Sequence, residues 1–297
     1  MEKVQLKASD SLLLSAAVFH AEETKAVVQL IHGAREHKER YYPFIRFLTK
    51  NGLTAIISDN RGHGESVNDR YPLGFMNGVD QMIHDQLVIT KYIKGLYPGK
   101  DLYLFGHSLG SLFARVYIQE HDYEIKKLVL SGMPNYVPGV KAGIAFGNLY
   151  TALAGKHGYS RLLNYLSSNK ISDSWISASL ENLEAYRRDP LCQIAYHNSG
   201  ALTIFEADKK MHDFHKYLCK NPNLEILSVS GEGDPITGGE IGLRDSILSL
   251  YKAGYRKIKS IVYDGMKHEV LNEDHNQVVY NDIVQFLLSK EEISDRV

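Results

Sequence analysis

The chain has 297 residues, enough to bury a large core, and its 34 Lys and Arg against 35 Asp and Glu leave a net charge of −1. That balance gives no basic field for nucleic acid and no polybasic membrane anchor. The opening residues lack the apolar segment of a signal peptide, and no run approaches a membrane span. Cys192 and Cys219 have neither CxxC spacing nor scaffold density, so they read as structural thiols of a cytoplasmic protein.

In chain order, short apolar or β-branched runs alternate with helix-period segments, the pattern of a mostly parallel sheet covered by helices. Val27 to Ile31 is a strand leading into His32-Gly33-Ala34, and Thr54 to Ser58 is one leading into Asp59-Asn60-Arg61-Gly62-His63-Gly64-Glu65-Ser66. Val79, Met82, Ile83, Leu87 and Ile93 mark a helix. Leu102 to Phe105 is a strand, followed by Gly106-His107-Ser108-Leu109-Gly110 and a helical stripe of Leu112, Val116 and Tyr117. A strand over Lys127 to Leu130 comes next. From about Asn135 to Asn198 the strand rhythm gives way to aromatic-rich, helix-like sequence, which reads as an inserted cap. Strands resume at Glu225 to Val229 and Lys259 to Tyr263, and Val279, Ile283, Phe286 and Leu287 form a last amphipathic stripe. The division is a core of 1–134 and 199–297 with a cap of 135–198, since no linker separates two independent domains.

Gly106 to Gly110 has the form of a nucleophile elbow, a tight strand-to-helix turn that drives Ser108 outward and needs glycines where strand and helix crowd. The pattern is common enough to arise by accident, so its partners must support it. A serine nucleophile of this kind needs an acid and then a histidine later in the chain. Asp234, in Ser230-Gly231-Glu232-Gly233-Asp234-Pro235, and His268, in Gly265-Met266-Lys267-His268-Glu269, each follow a strand and fall in that order. Glu232 and Asp264 are rival acids, read as solvated turn residues. The backbone amides of Leu109 and Ala34 are the positional candidates for an oxyanion hole.

These motifs, His32-Gly33-Ala34, the Asp59 to Ser66 loop, the elbow, Gly233-Asp234-Pro235 and His268-Glu269, resemble the α/β-hydrolases of the monoacylglycerol lipase, lysophospholipase and serine aminopeptidase group. The resemblance spans nearly the whole chain. It implies an α/β-hydrolase fold with a mostly parallel eight-stranded sheet, a cap above it, the triad Ser108, Asp234 and His268, and an oxyanion hole at Ala34 and Leu109. His63 would then be a buried polar strut. Arg188-Asp189-Pro190-Leu191-Cys192 is similar to a stretch at the end of the cap in bacterial members, whereas Arg35 stands where lipases of the group often have a small residue.

The expected reaction is carboxylic ester hydrolysis through an acyl-enzyme, with no metal or cofactor, on a small-molecule or lipid ester. Val140, Ile144, Phe146, Leu149, Tyr150 and Leu153 either line an acyl-chain channel or pack the cap onto the sheet. Any lipid contact would be peripheral, through the cap. The expected state is a monomer or homodimer. Two other readings stay open: an aminopeptidase or amidase using Glu181, Glu184 and Asp189 for a free amine, and a binding protein that has lost turnover.

Overall fold

The computed structural model describes residues 1–168 and 173–290. Its strands are β1 (Glu2–Lys7), β2 (Leu13–Phe19), β3 (Ala26–Ile31), β4 (Leu53–Ser58), β5 (Leu102–His107), β6 (Lys127–Ser131), β7 (Glu225–Gly231) and β8 (Ile258–Tyr263). Its helices are α1 (Tyr42–Lys50), α2 (Val79–Leu96), α3 (Leu109–His121), α4 (Val140–Ala154), α5 (Arg161–Ser168), α6 (Leu180–Arg188), α7 (Asn198–Met211), α8 (Gly239–Lys252) and α9 (Gln277–Leu288). The strands form one eight-stranded sheet in the order β1-β2-β4-β3-β5-β6-β7-β8. Only β2 pairs antiparallel, to β1 and to β4; every other pair is parallel.

The central strands are buried on both faces, and their period-two alternation divides the core. Val27, Ile31, Leu102 and Leu104 pack with Met82 and Ile93 of α2 and Phe113 and Tyr117 of α3. Val28, Leu30, Tyr103 and Phe105 face the other way, onto Phe44 and Leu48 of α1 and Val279 and Ile283 of α9. β1, which the apolar runs do not reveal, is a half-exposed edge strand whose side chains alternate in burial.

Register decides where the loops meet. Ile31 pairs with Gly106, His107 with Ser131, Ser131 with Val229 and Gly231 with Tyr263, so the loops after β3, β5, β6, β7 and β8 leave from one carboxyl edge. Strand order turns back between β3 and β5, the switch point at which open α/β sheets place their sites. Between β6 and β7 the described residues hold the helices α4 to α7 and no strand. α7 packs on α4 and α5 as well as on α3 and α2.

Candidate active site

β5 ends in a turn that forces its serine into an unusual backbone. Ser108 has φ 51° and ψ −119°, and α3 begins at the next residue. A Cβ on Gly110 would lie 2.2 Å from the Ile31 carbonyl oxygen, and one on Gly106 would lie 2.5 Å from the Gly110 carbonyl oxygen. Glycine at both positions is what lets α3 seat against β3 and β5 while Ser108 stands out of the turn. Its own amide donates to the Ser131 carbonyl at 2.9 Å, which ties the elbow to β6.

Asp234 and His268 meet after the last two strands. The imidazole Nδ1 donates to Asp234 Oδ2 at 2.8 Å, and Asp234 Oδ1 accepts the Ile236 amide at 2.9 Å. Both side chains are buried. Burial works against the charged form of each, but the pair outweighs it: the neighbouring His268 holds Asp234 below the usual carboxylate range, and Asp234 holds His268 above the ordinary imidazole value. Trp175 and His107 flank the imidazole, with ring centroids 4.9 Å and 4.7 Å away. His107 is itself buried beside a second histidine, which depresses it to about 3 and keeps it neutral.

The loop after β3 is held from several directions. A Cβ on Gly33 would stand 3.0 Å from the Ser108 Cβ, so the two loops are in close apposition. His32 donates from Nδ1 to the Gly33 carbonyl at 2.8 Å and accepts the Asn60 amide on Nε2 at 2.8 Å, a neutral strut whose pKa burial drives far down. Glu36 accepts the Gly33 amide and the Tyr41 hydroxyl. Arg35 adopts φ 55°, and its amide donates to the Tyr196 hydroxyl at 3.0 Å. That hydroxyl donates in turn to His63 Nε2 at 3.0 Å, while His63 Nδ1 donates to the Arg61 carbonyl at 3.1 Å. Burial lowers His63 to about 4, so it is a neutral relay of hydrogen bonds. Among the described residues the amides of Ala34 and Leu109 enter no hydrogen bond, and both residues border the same cavity as Ser108 and His268.

That cavity has a volume of about 890 Å³. Leu112, Val140, Ile204, Phe205, Pro235 and Ile236 supply apolar wall, and Arg35, Glu36 and Glu269 also border it. Burial, and then the charge of Glu269, raises Glu36 to about 7. Glu269 is buried too, yet its ion pair with Arg40 and a hydrogen bond from Asn182 at 2.8 Å keep it below the ordinary range.

His37, Asp189 and Cys192 bring ligand atoms within 4.8 Å of one another, the spacing of a metal site. Burial alone would lower the pKa of His37, but hydrogen bonds to Cys192, Glu39 and Asp189 raise it to about 11. His37 straps the segment after α6 to the core, with Nε2 2.7 Å from Asp189 and Nδ1 2.6 Å from Glu39.

The structure therefore brings Ser108, His268, Ala34 and Leu109 to one cavity with Asp234 behind His268. Glu232 and Asp264 do not border it. Nor do Glu181, Glu184 or Asp189: Glu184 pairs with Arg188 at 3.0 Å, and Asp189 is held by His37. Sequence reasoning missed Glu36, Arg40, Tyr196, Trp175 and Glu269. Only the position of Glu36, two residues past Ala34, and of Glu269, beside His268, carried any signal.

A parallel-centred sheet with a strained serine after its fifth strand and a carboxylate–histidine pair after its last two defines an α/β-hydrolase. The profile of the family described as serine aminopeptidase, S33, matches residues 22–275, and the chain belongs to that family. It is 25% identical over 270 residues to a monoacylglycerol lipase of Mycolicibacterium smegmatis, covering 90% of this chain and 89% of that protein. It is 29% identical over 167 residues to the human monoglyceride lipase, 56% of this chain and 52% of that one. Among solved structures, a thermostable carboxyl esterase from Bacillus coagulans in complex with glycerol superposes with a TM-score of 0.85 at 21% identity, covering 96% of this chain and 97% of the other. A monoacylglycerol lipase from Paleococcus ferrophilus does so with a TM-score of 0.74 at 22% identity, covering 92% and 98%.

Proposed function

We propose that the protein is a serine hydrolase of carboxylic esters, a carboxylesterase of the monoacylglycerol lipase and lysophospholipase kind. The observation that carries this reading is the shared cavity of Ser108 and His268, with Asp234 hydrogen-bonded to the far side of the imidazole. His268 Nε2 takes the serine proton as Ser108 Oγ attacks the ester carbonyl, and Asp234 fixes the tautomer that leaves Nε2 free to do so. The tetrahedral oxyanion lies between the Ala34 and Leu109 amides, the second at the positive end of α3. His268 returns the proton to the departing alcohol, leaving an acyl-serine. Water attacks that ester with the same imidazole as base, releasing the acid.

Residues 135–198 act in this reading as a cap over the core formed by 1–134 and 199–297. Val140 and Gly143 border the cavity, and a medium or long acyl chain would run along this wall. Other apolar side chains of the segment face outward instead. Leu149 is 63% and Leu153 81% exposed, with Phe146 and Leu162 exposed as well, whereas Tyr165 and Leu166 are exposed at the border of the cavity. Patches of this kind mark contact surfaces, and here they support peripheral contact with a lipid interface. No helix among the described residues is long and apolar enough to cross a membrane.

The names of the bacterial and human relatives agree with an ester substrate. The amidase alternative would draw on Glu181, Glu184 and Asp189, which lie off the cavity. Turnover of a glycerol monoester against an aminoacyl arylamide tests the reading: the ester should be preferred by orders of magnitude, and a preference for the arylamide would reverse it. Rates on nitrophenyl esters that do not vary with acyl length would remove the acyl-chain assignment.

A further inference from the structure

Four carboxyl groups border the cavity among the described residues, and three are accounted for. Glu36 and Glu269 share Arg40, and Asp173 is hydrogen-bonded by Arg187 at 2.7 Å and 3.0 Å. The fourth, Asp208 on α7, forms no ion pair among the described residues. It is 7% exposed, its Oδ2 accepts the Val137 amide at 3.1 Å, and its Oδ1 is buried without a hydrogen bond. The side-chain oxygen of Asn135, another residue of the cavity wall, is likewise buried and unpartnered. The guanidinium of Arg115, whose charge acts on Asp208, donates from one terminal nitrogen to Ser249 Oγ at 2.6 Å and the Met211 carbonyl at 3.2 Å, while its Nε is buried without a hydrogen bond. Burial outweighs Arg115 and the Val137 amide and raises Asp208 to about 7.

Buried acceptors are nearly always satisfied, because leaving one unmet forfeits its hydration without return. Asp208 and Asn135 both border a substrate-sized cavity, and a small rotation of either side chain would turn its unmet oxygen toward a group that arrives with the ligand. The wall beside them is apolar, with Leu112, Val140, Ile204 and Phe205, so an alkyl arm is what brings that group past.

We propose that Asp208, with Asn135, is a specificity-determining acceptor for a hydrogen-bond donor, a hydroxyl or an ammonium, carried on the acyl arm of the substrate away from the reacting carbonyl. This rests on the ester-hydrolase reading. The preferred acyl group is therefore functionalised along its chain, and a plain alkyl chain leaves Asp208 unmet.

The test uses nitrophenyl esters of four to twelve carbons in three forms: plain, ω-hydroxy and ω-ammonio. kcat/KM is measured on the wild-type protein, Asp208→Leu and Asp208→Asn, and binding of the same esters to Ser108→Ala is measured by calorimetry. At one chain length the hydroxy or ammonio ester should exceed the plain one by about tenfold or more, the scale of a hydrogen bond to a charged group. That advantage should vanish in Asp208→Leu, while Asp208→Asn should keep part of a hydroxyl advantage and lose an ammonium one. A hydroxyl advantage identifies a neutral donor and an ammonium advantage a cation; either supports the proposal. Plain esters that do as well at every length, or an advantage that survives Asp208→Leu, would overturn it. Absence of turnover on any ester would instead defeat the hydrolase reading, and the binding ratios would still decide the role of Asp208. Should Asp208→Leu fail to fold, the wild-type ratios and Asp208→Asn carry the same test.

Discussion

The carboxyl edge of the sheet and the helices between β6 and β7 are built by opposite rules. At the sheet edge His32, Asp59, His63, Asp234 and His268 are all buried, and each is hydrogen-bonded, Asp59 by the Lys38 amide at 2.9 Å. Such a network fixes geometry, because breaking any member leaves a buried polar group unmet. α4 has two buried residues, Val140 and Gly147, and exposes Phe146, Leu149 and Leu153. The first region is specified by internal contacts; the second leaves apolar side chains exposed among the described residues.

The largest effects should come from the reacting groups. Ser108→Ala or His268→Ala should lower turnover by about a million-fold, with Asp234→Asn costing about ten-thousandfold, and steady-state rates on one ester check all three. Rates near wild type in either alanine variant would contradict the assignment. Gly110→Ala tests the rigidity of the sheet edge through stability. Its Cβ would meet the Ile31 backbone, so the variant should lose about 3 kcal/mol in a denaturant titration, and an unchanged midpoint would refute that packing.

The pH profile is a finer probe. His268 must be neutral to act as base, and Asp234 raises its pKa, so kcat/KM should fall as pH drops through a midpoint above 6.5, the ordinary imidazole value. Glu36 titrates in the same range, so Glu36→Gln should keep that limb if it belongs to His268; a limb that disappears would assign it to Glu36. Tyr196→Phe removes the hydroxyl linking Arg35 to His63 and should cost about fivefold in kcat, the worth of one hydrogen bond, with KM little changed. The smallest effect on the fold belongs to the other region. Leu153→Ser should move stability by less than about 0.5 kcal/mol yet weaken sedimentation with phospholipid vesicles. Lost stability with unchanged vesicle binding would make that residue a packing element instead.

The same contrast explains what could be read from sequence. The central strands were legible because continuous apolar runs ending at glycines have few other uses, and Ser108, Asp234 and His268 because each follows such a run. β1 was not, since an edge strand alternates over six half-exposed residues. Tyr196 and Trp175 were hidden for another reason: their neighbours, Arg35 and His63 for one and His268 for the other, are far away in sequence, and no periodicity encodes such meetings. In α4 the pattern offered channel lining or cap packing. Val140 and Gly143 border the cavity and Gly147 packs against Leu202, but Leu149 and Leu153 do neither, because apolar periodicity does not say which surface buries it.

Reaction with a fluorophosphonate probe, followed by peptide mapping, would show whether Ser108 is a nucleophile activated by His268. One adduct is expected, on Ser108, formed by the wild-type protein and lost in both Ser108→Ala and His268→Ala. An adduct on another residue, or labelling that persists in Ser108→Ala, would contradict it.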